Sequence, residues 1–340
     1  MTEMLVSIIR TLVASFAAGM LFPAACAYGQ DDRSPLRLEK EIPLTGVQGR
    51  IDHFSVDAPG KRIFVAALEN GTVEVVDLAQ GERTSEIRGL KEPQGLYYDE
   101  ATSRLYVASA GDGTLRIYEG KSFTLRSTFE FGDDADNVRY DEKARQIWVG
   151  YGSGGLGYVT GGERAGQIPL GSHPESFQLE HSGSRVFANV PKEFGVAVVD
   201  RTKHAVISKW GLGRTFANYP MALDERDGRL FVGCRLPARL VVLDTNSGQV
   251  VAKLPVVGDA DDVFFDPSRH LVYVIGGEGA VDVFRMQDPN RYDHVGRIHT
   301  AAGARTGLFD SGLDRLFVAV PHRGSQMARL LVYEVKQSAQ

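Results

Sequence analysis

One pattern returns seven times along the chain. An acidic residue is followed by four turn-forming residues and then, in most copies, by Arg-aliphatic-aromatic-Val. It reads DAPGKRIFV (57–65), DEATSRLYV (99–107), DEKARQIWV (141–149), EHSGSRVFA (180–188), DERDGRLFV (224–232), DPSRHLVYV (266–274) and DSGLDRLFV (310–318). Successive copies begin 42, 42, 39, 44, 42 and 44 residues apart. Units repeating near one period cannot each bury a core alone, so they must stack against one another. Within the first copy, RIFVAA, a turn at LENG, TVEVVD and GERTSEIRG succeed one another. Their apolar residues alternate with period two, which predicts strands. Four short strands per copy, seven copies and no helical pattern after the N-terminal segment predict an all-β fold, a seven-bladed β-propeller of four-stranded blades.

The last copy stops after its third strand, RLLVYEV (329–335). The vacancy matches LEKEIPLTG (38–46), whose aliphatic-Pro-aliphatic pattern repeats that of the fourth strands GQIPLG (166–171) and VAKLPVVG (251–258). Residues 38–44 are therefore expected to pair with 329–335, closing the ring and covering a sheet edge. The propeller then spans residues 36–335 as one domain, and a closed ring is compatible with a monomer.

Apolar residues make up 43% and charged residues 24% of the chain, and the formal net charge is −5. No Lys/Arg-rich run occurs, which argues against nucleic acid as a partner. Residues 1–29 read as a signal peptide: Arg10 precedes the apolar run TLVASFAAGMLFPAA, too short for a comfortable membrane span, and small residues follow. Cleavage is expected after Ala27 or Gly29, leaving no transmembrane span in the mature chain and placing the protein in the periplasm. A lipid anchor at Cys26 is the lesser alternative, because Pro23 departs from the lipoprotein pattern. Cleavage leaves Cys234 alone, so stability must come from the core rather than from a disulfide.

The units RIFVAALENGTVEVVD (62–77), 104–118 and 229–244 resemble those of the exported bacterial YVTN-repeat β-propellers, although the tetrapeptide itself does not occur. The resemblance covers about residues 36–335. It implies the fold, but spans lactonases, streptogramin lyase, the N-terminal part of nitrous oxide reductase and many non-enzymatic binders, so function must be argued from the site.

In a propeller the first strand of each blade lines the central channel. The two residues at its channel-mouth end are Asp52/His53, Gln94/Gly95, Asp136/Asn137, Glu175/Ser176, Tyr219/Pro220, Asp261/Asp262 and Arg305/Thr306. Just upstream lie Asp134, His173, Asn218 and Asp259, and the loops between second and third strands add Glu69, Asp112, Arg235, Glu278, His322 and Arg323. The turns of the opposite face are ordinary. DADNV (134–138) and DADDV (259–263) bring acidic groups from blades three and six toward each other, which requires a cation or arginines between them.

Three functions follow. The favoured one is a periplasmic binding or scaffold propeller that holds a small ligand or a periplasmic protein, with Gln94, Asn137, Asn218, Arg235, Arg305 and Arg323 as ligand contacts. The second is a metal-assisted hydrolase or lyase of lactonase type, with His53 or His322 as general base and Glu175 also in the catalytic set. The third is a divalent-metal protein, with Asp136, Glu175 and Asp262 holding Ca²⁺ or Mg²⁺. No C-x-x-C-H, phosphate-binding glycine loop or rim rich in histidine is present, which argues against covalent haem, nucleotide and polynuclear copper chemistry. Cys234 reads as a small buried hydrophobe rather than a nucleophile.

Overall fold

A computed structural model describes residues 34–336. The expected signal peptide and Cys26 lie outside them. Within them are seven four-stranded antiparallel sheets, and the only helical pieces are the short 3₁₀ turns Ala110–Asp112 and Pro191–Glu193. Blades one to six run in sequence order, from Phe54–Asp57 as the first strand of blade one to Arg291–His299 as the last of blade six. Blade seven is built from Gly307–Asp310, Arg315–Val320, Arg329–Val335 and, at its outer edge, Leu36–Pro43. That last pairing is the expected seam, with a register from Leu36 opposite Val335 to Pro43 opposite Arg329. It begins two residues earlier than the sequence suggested and shifts register between Leu38 and Lys40.

The core lies between the blades. Each hydrophobic cluster joins two neighbours: Phe64, Val75, Leu96 and Leu105 between blades one and two, and Ile42, Ile63, Phe317 and Leu330 between blades seven and one. A fully buried side chain of this size contributes roughly 1.5–3 kcal/mol, so the blades hold one another. Cys234 is fully buried in the cluster between blades four and five, and burial pushes its thiol up to about 11 against a Thr215 hydrogen bond, as suits a packing residue.

The repeat signature proves to be structural. Its acidic residue caps the turn into the second strand: Asp57 accepts from Gly60 N (2.9 Å), Asp141 from Ala144 N (3.1 Å) and Asp310 from Leu313 N (2.7 Å). In blades one, four and five its arginine reaches the next blade. Arg62 bonds Asp57 and donates to Gly120 O (2.9 Å), Arg185 donates to Thr245 O, and Arg229 donates to Pro289 O (2.7 Å). All three acceptors follow the third strand of the neighbouring blade.

Candidate functional site at the channel mouth

The first strands end at the channel mouth in a β-bulge. In blade one Asp52 N donates to Ala66 O (2.7 Å) and Ala66 N to His53 O (3.0 Å), so two residues face one. The same pair of bonds joins Asp136 and Asn137 to Gly150, and Glu175 and Ser176 to Asn189. This is why GRIDHFSVD forms a regular strand only at Phe54–Asp57. A bulge re-aims side chains, and the first member of every pair lines one cavity, which His53, Asn137 and Ser176 also border.

The first members, Asp52, Gln94, Asp136, Glu175, Tyr219, Asp261 and Arg305, all line one cavity of about 360 Å³. Arg50, His53, Asp134, Asn137, His173, Ser176 and Arg235 complete its wall. Several second members latch neighbouring blades. Asn137 donates to Glu175 O (2.6 Å), Asp262 accepts from Gly307 N (2.7 Å) and Thr306 donates to Ile51 O (3.1 Å). Gly95 permits a close approach: a Cβ there would lie 2.0 Å from Asp136 O, so any larger residue would displace the Asp136 loop.

His53 belongs to both sets. Its Nε2 is 3.5 Å from Asp52 Oδ1 and from Asn137 Nδ2, and its Nδ1 is 3.6 Å from Asp262 Oδ1. Burial opposes its protonation, but Asp52, Asp262 and Asp136 overcome that and push the pKa up to about 10. These carboxylates favour its imidazolium form, a hydrogen-bond donor and counter-charge rather than a free base. Asp261 is pushed up to about 6 by burial against the opposing pull of Arg235, and Glu175 to about 7 by burial and Asp136. Burial likewise raises Asp52 and Asp134.

The raised pKa values of His53, Glu175 and Asp261 carry the same sign for stability. Each folded-state pKa lies above its unfolded value, so each group stabilises at low pH and loses that contribution as pH rises through the folded pKa. Asp261 and Glu175 finish by about pH 7. His53 continues from about 6.5 to about 10. His53→Gln is thus expected to flatten the loss of stability between pH 7 and 10 by on the order of 2–4 kcal/mol. Urea unfolding across that range checks this, and parallel wild-type and variant curves would refute it.

The arginines come from blades five and seven and from the entry to blade one. Arg235 bonds Asp261, donates to Ala260 O (2.9 Å) and stacks 3.9 Å over the Tyr219 ring. Arg305 holds Asp259 (2.9 Å) and Asp261 (3.1 Å), and Arg50 holds Asp52 (2.7 Å). Asp134 and Asp259 open the two DAD stretches with positive φ, 40° and 54°, a conformation that aspartate tolerates better than most residues.

The structure gathers most, not all, of the residues singled out in the sequence. Gln94, Asp136, Asn137, Glu175, Arg235 and Arg305 share the cavity with His53. His322 and Arg323 line an adjoining cavity of about 380 Å³ with Glu69 and Asp259, bordered by the shared Arg50 and Arg305. Asn218 is fully buried, and its amide bonds Asn189 Oδ1 and Gly195 O, both at 2.9 Å, so it supports blades four and five from within. Asp262 serves His53 and Gly307, and among the described residues it is His173 that joins Asp136 and Glu175 in one group of ligand-type atoms. The sequence reading missed Arg50, whose signal was its position two residues before Asp52, equivalent to that of Asp134 and His173. It also missed an exposed edge-to-face pair, Phe194 and Phe216 (5.8 Å), at the same face of blades four and five.

Among the described residues no helix is long and apolar enough to cross a membrane. No protein-family model matches the chain, and no curated protein matches its sequence. Solved structures do. A chain of the Kuenenia stuttgartiensis hydrazine synthase superposes with a TM-score of 0.72 at 14% identity, covering 82% of this chain and 95% of that one. A chain of a mitotic checkpoint complex superposes with a TM-score of 0.74 at 13% identity, covering 96% and 99%. At such identity the likeness establishes the fold alone: this chain is a seven-bladed β-propeller.

Proposed function

We propose that the chain is an exported propeller that binds a small, polar, charge-bearing ligand at its channel mouth. One contrast carries the reading. The position that caps the first turn on the opposite face is acidic in every blade: Asp57, Asp99, Asp141, Glu180, Asp224, Asp266 and Asp310. A fold-imposed role keeps one chemistry. The equivalent position at the mouth holds Asp, Gln, Asp, Glu, Tyr, Asp and Arg, and all seven side chains meet in one cavity. Its volume suits a small ligand. Carboxylates of blades three and four face the Arg235 and Arg305 side, so a molecule carrying both charge types, or an anion with hydroxyl groups, matches the wall.

A second reading, hydrolase or lyase chemistry in the same cavity, has one observation in its favour. Glu175, held near 7 by burial and Asp136, borders the cavity as an acid–base group would. Turnover of a stabilising compound would favour it over binding alone.

The test is thermal unfolding against a panel of small carboxylates, phosphates, amino compounds and polyols. One class is expected to raise the wild-type midpoint by several degrees and to leave Arg235→Met unmoved. Stabilisation by none of them, or equal stabilisation of Arg235→Met, would count against the reading.

A further inference from the structure

Blades three and four present the same arrangement at the mouth, a ligand-type residue two positions before the lining carboxylate: Asp134 and Asp136, His173 and Glu175. One ligand atom from each of Asp136, His173 and Glu175 lies within 4.8 Å of the others. Asp136 is 95% buried, since its relative exposure is 5%, and its Oδ1 has no hydrogen-bond partner among the described residues. A buried carboxylate oxygen left unpaired in a polar cavity is costly unless something completes it. His173 Nε2 stands 3.9 Å from the other oxygen of Asp136. The surroundings are fixed: Asn137 holds Glu175 O, and Asp136 N donates to Gly150 O (2.9 Å).

We infer that Asp136, His173 and Glu175 form a binding site for one divalent transition-metal ion, of the Mn²⁺ or Zn²⁺ class, with its remaining positions open to the cavity. One imidazole with two carboxylates suits such ions better than the all-oxygen sets of Ca²⁺ and Mg²⁺. Metal–ligand bonds of about 2.0–2.2 Å require the three donors to close slightly, which side-chain rotation supplies. Arg235 and Arg305 line the same cavity, so an anionic ligand bound to the ion would lie among them. The site does not depend on the ligand proposed above, because the ion alone is the probe.

The experiment measures Mn²⁺ binding to the chelator-stripped full chain by the loss of the free-ion electron paramagnetic resonance signal, with Zn²⁺ and Ca²⁺ as competitors. One Mn²⁺ per chain is expected, displaced by Zn²⁺ at lower concentration than by Ca²⁺. Asp136→Asn and Glu175→Gln should weaken binding by roughly 100-fold or more, beyond the effect of losing a supporting residue. His173→Gln should weaken it and remove the preference for Zn²⁺ over Ca²⁺, whereas His322→Asn should bind as wild type. Circular dichroism checks that each variant is folded, and the two near-isosteric amide substitutions give independent chances of a folded test. Absence of bound Mn²⁺ and Zn²⁺, binding unchanged in folded Asp136→Asn and Glu175→Gln, or preference for Ca²⁺ in the wild type would overturn the assignment.

Discussion

A chain beginning at Thr45 is expected to lose cooperative thermal unfolding and to self-associate. The deleted segment carries Leu36, Ile42 and Leu44, each almost wholly buried in the clusters on either side of blade seven. Removing one buried aliphatic side chain costs about 2–5 kcal/mol, and three such losses approach the whole stability of a typical domain, about 5–15 kcal/mol. The truncation also exposes Arg329–Val335 as an unpaired edge, a template for pairing with a second chain. A synthetic peptide spanning residues 34–45 should restore the transition by adding the missing strand. Calorimetry and size-exclusion chromatography with and without the peptide decide the matter. A truncated chain that stays monomeric and melts within a few degrees of full length would show that the seam is dispensable.

Arg201→Ala is expected to be the most damaging single substitution in a polar residue. The side chain is 9% exposed, and its guanidinium bonds the buried Asp141 of blade three and donates to Glu180 O (2.6 Å), Gly183 O (2.7 Å) and Ser184 O (3.3 Å). Truncation strands a buried carboxylate and loosens the clasp between blades three and four. Breaking a buried pair by removing one partner costs about 3–5 kcal/mol. At about 2.1 cal/mol/K of unfolding entropy per residue, that lowers the midpoint by roughly 5–8 °C. Arg88→Ala is the control, because its partner Glu86 is met at the surface and such pairs contribute about 0–1 kcal/mol. Equal midpoints for the two variants would refute the clasp.

The fold was legible because propeller geometry writes itself locally. Alternating strands, capped turns and a period near 42 residues each follow from short-range chemistry, and the missing strand of the last unit pointed to residues 38–44, close to the observed Leu36–Pro43. The channel-mouth ring was legible for the same reason, since the repeat register alone named all seven lining positions. What the sequence could not convey was the division of labour within each pair. The bulge sends Asp136 into the cavity and lets Asn137 latch Glu175 O, a difference that no alternation of polar and apolar residues encodes. Asn218 looked like a rim residue but points inward, because its partners Asn189 and Gly195 lie in blade four, 29 and 23 residues earlier in sequence. The grouping of His173 with Asp136 and Glu175 likewise depends on how closely two blades approach. Spacing along the chain is silent about that.

The concentration of raised carboxyl pKa values and of buried like charges at the mouth is a local cost, and such costs gather where a protein binds something. The most direct measurement is the native mass of the full-length protein after incubation with the small-molecule fraction of a cell extract and desalting, compared with its mass under denaturing conditions. One small-molecule adduct per chain is expected, released on denaturation and absent from Arg235→Met and Gln94→Leu. A native mass equal to the bare chain, or an adduct kept at the same occupancy by both variants, would contradict a ligand site at the channel mouth.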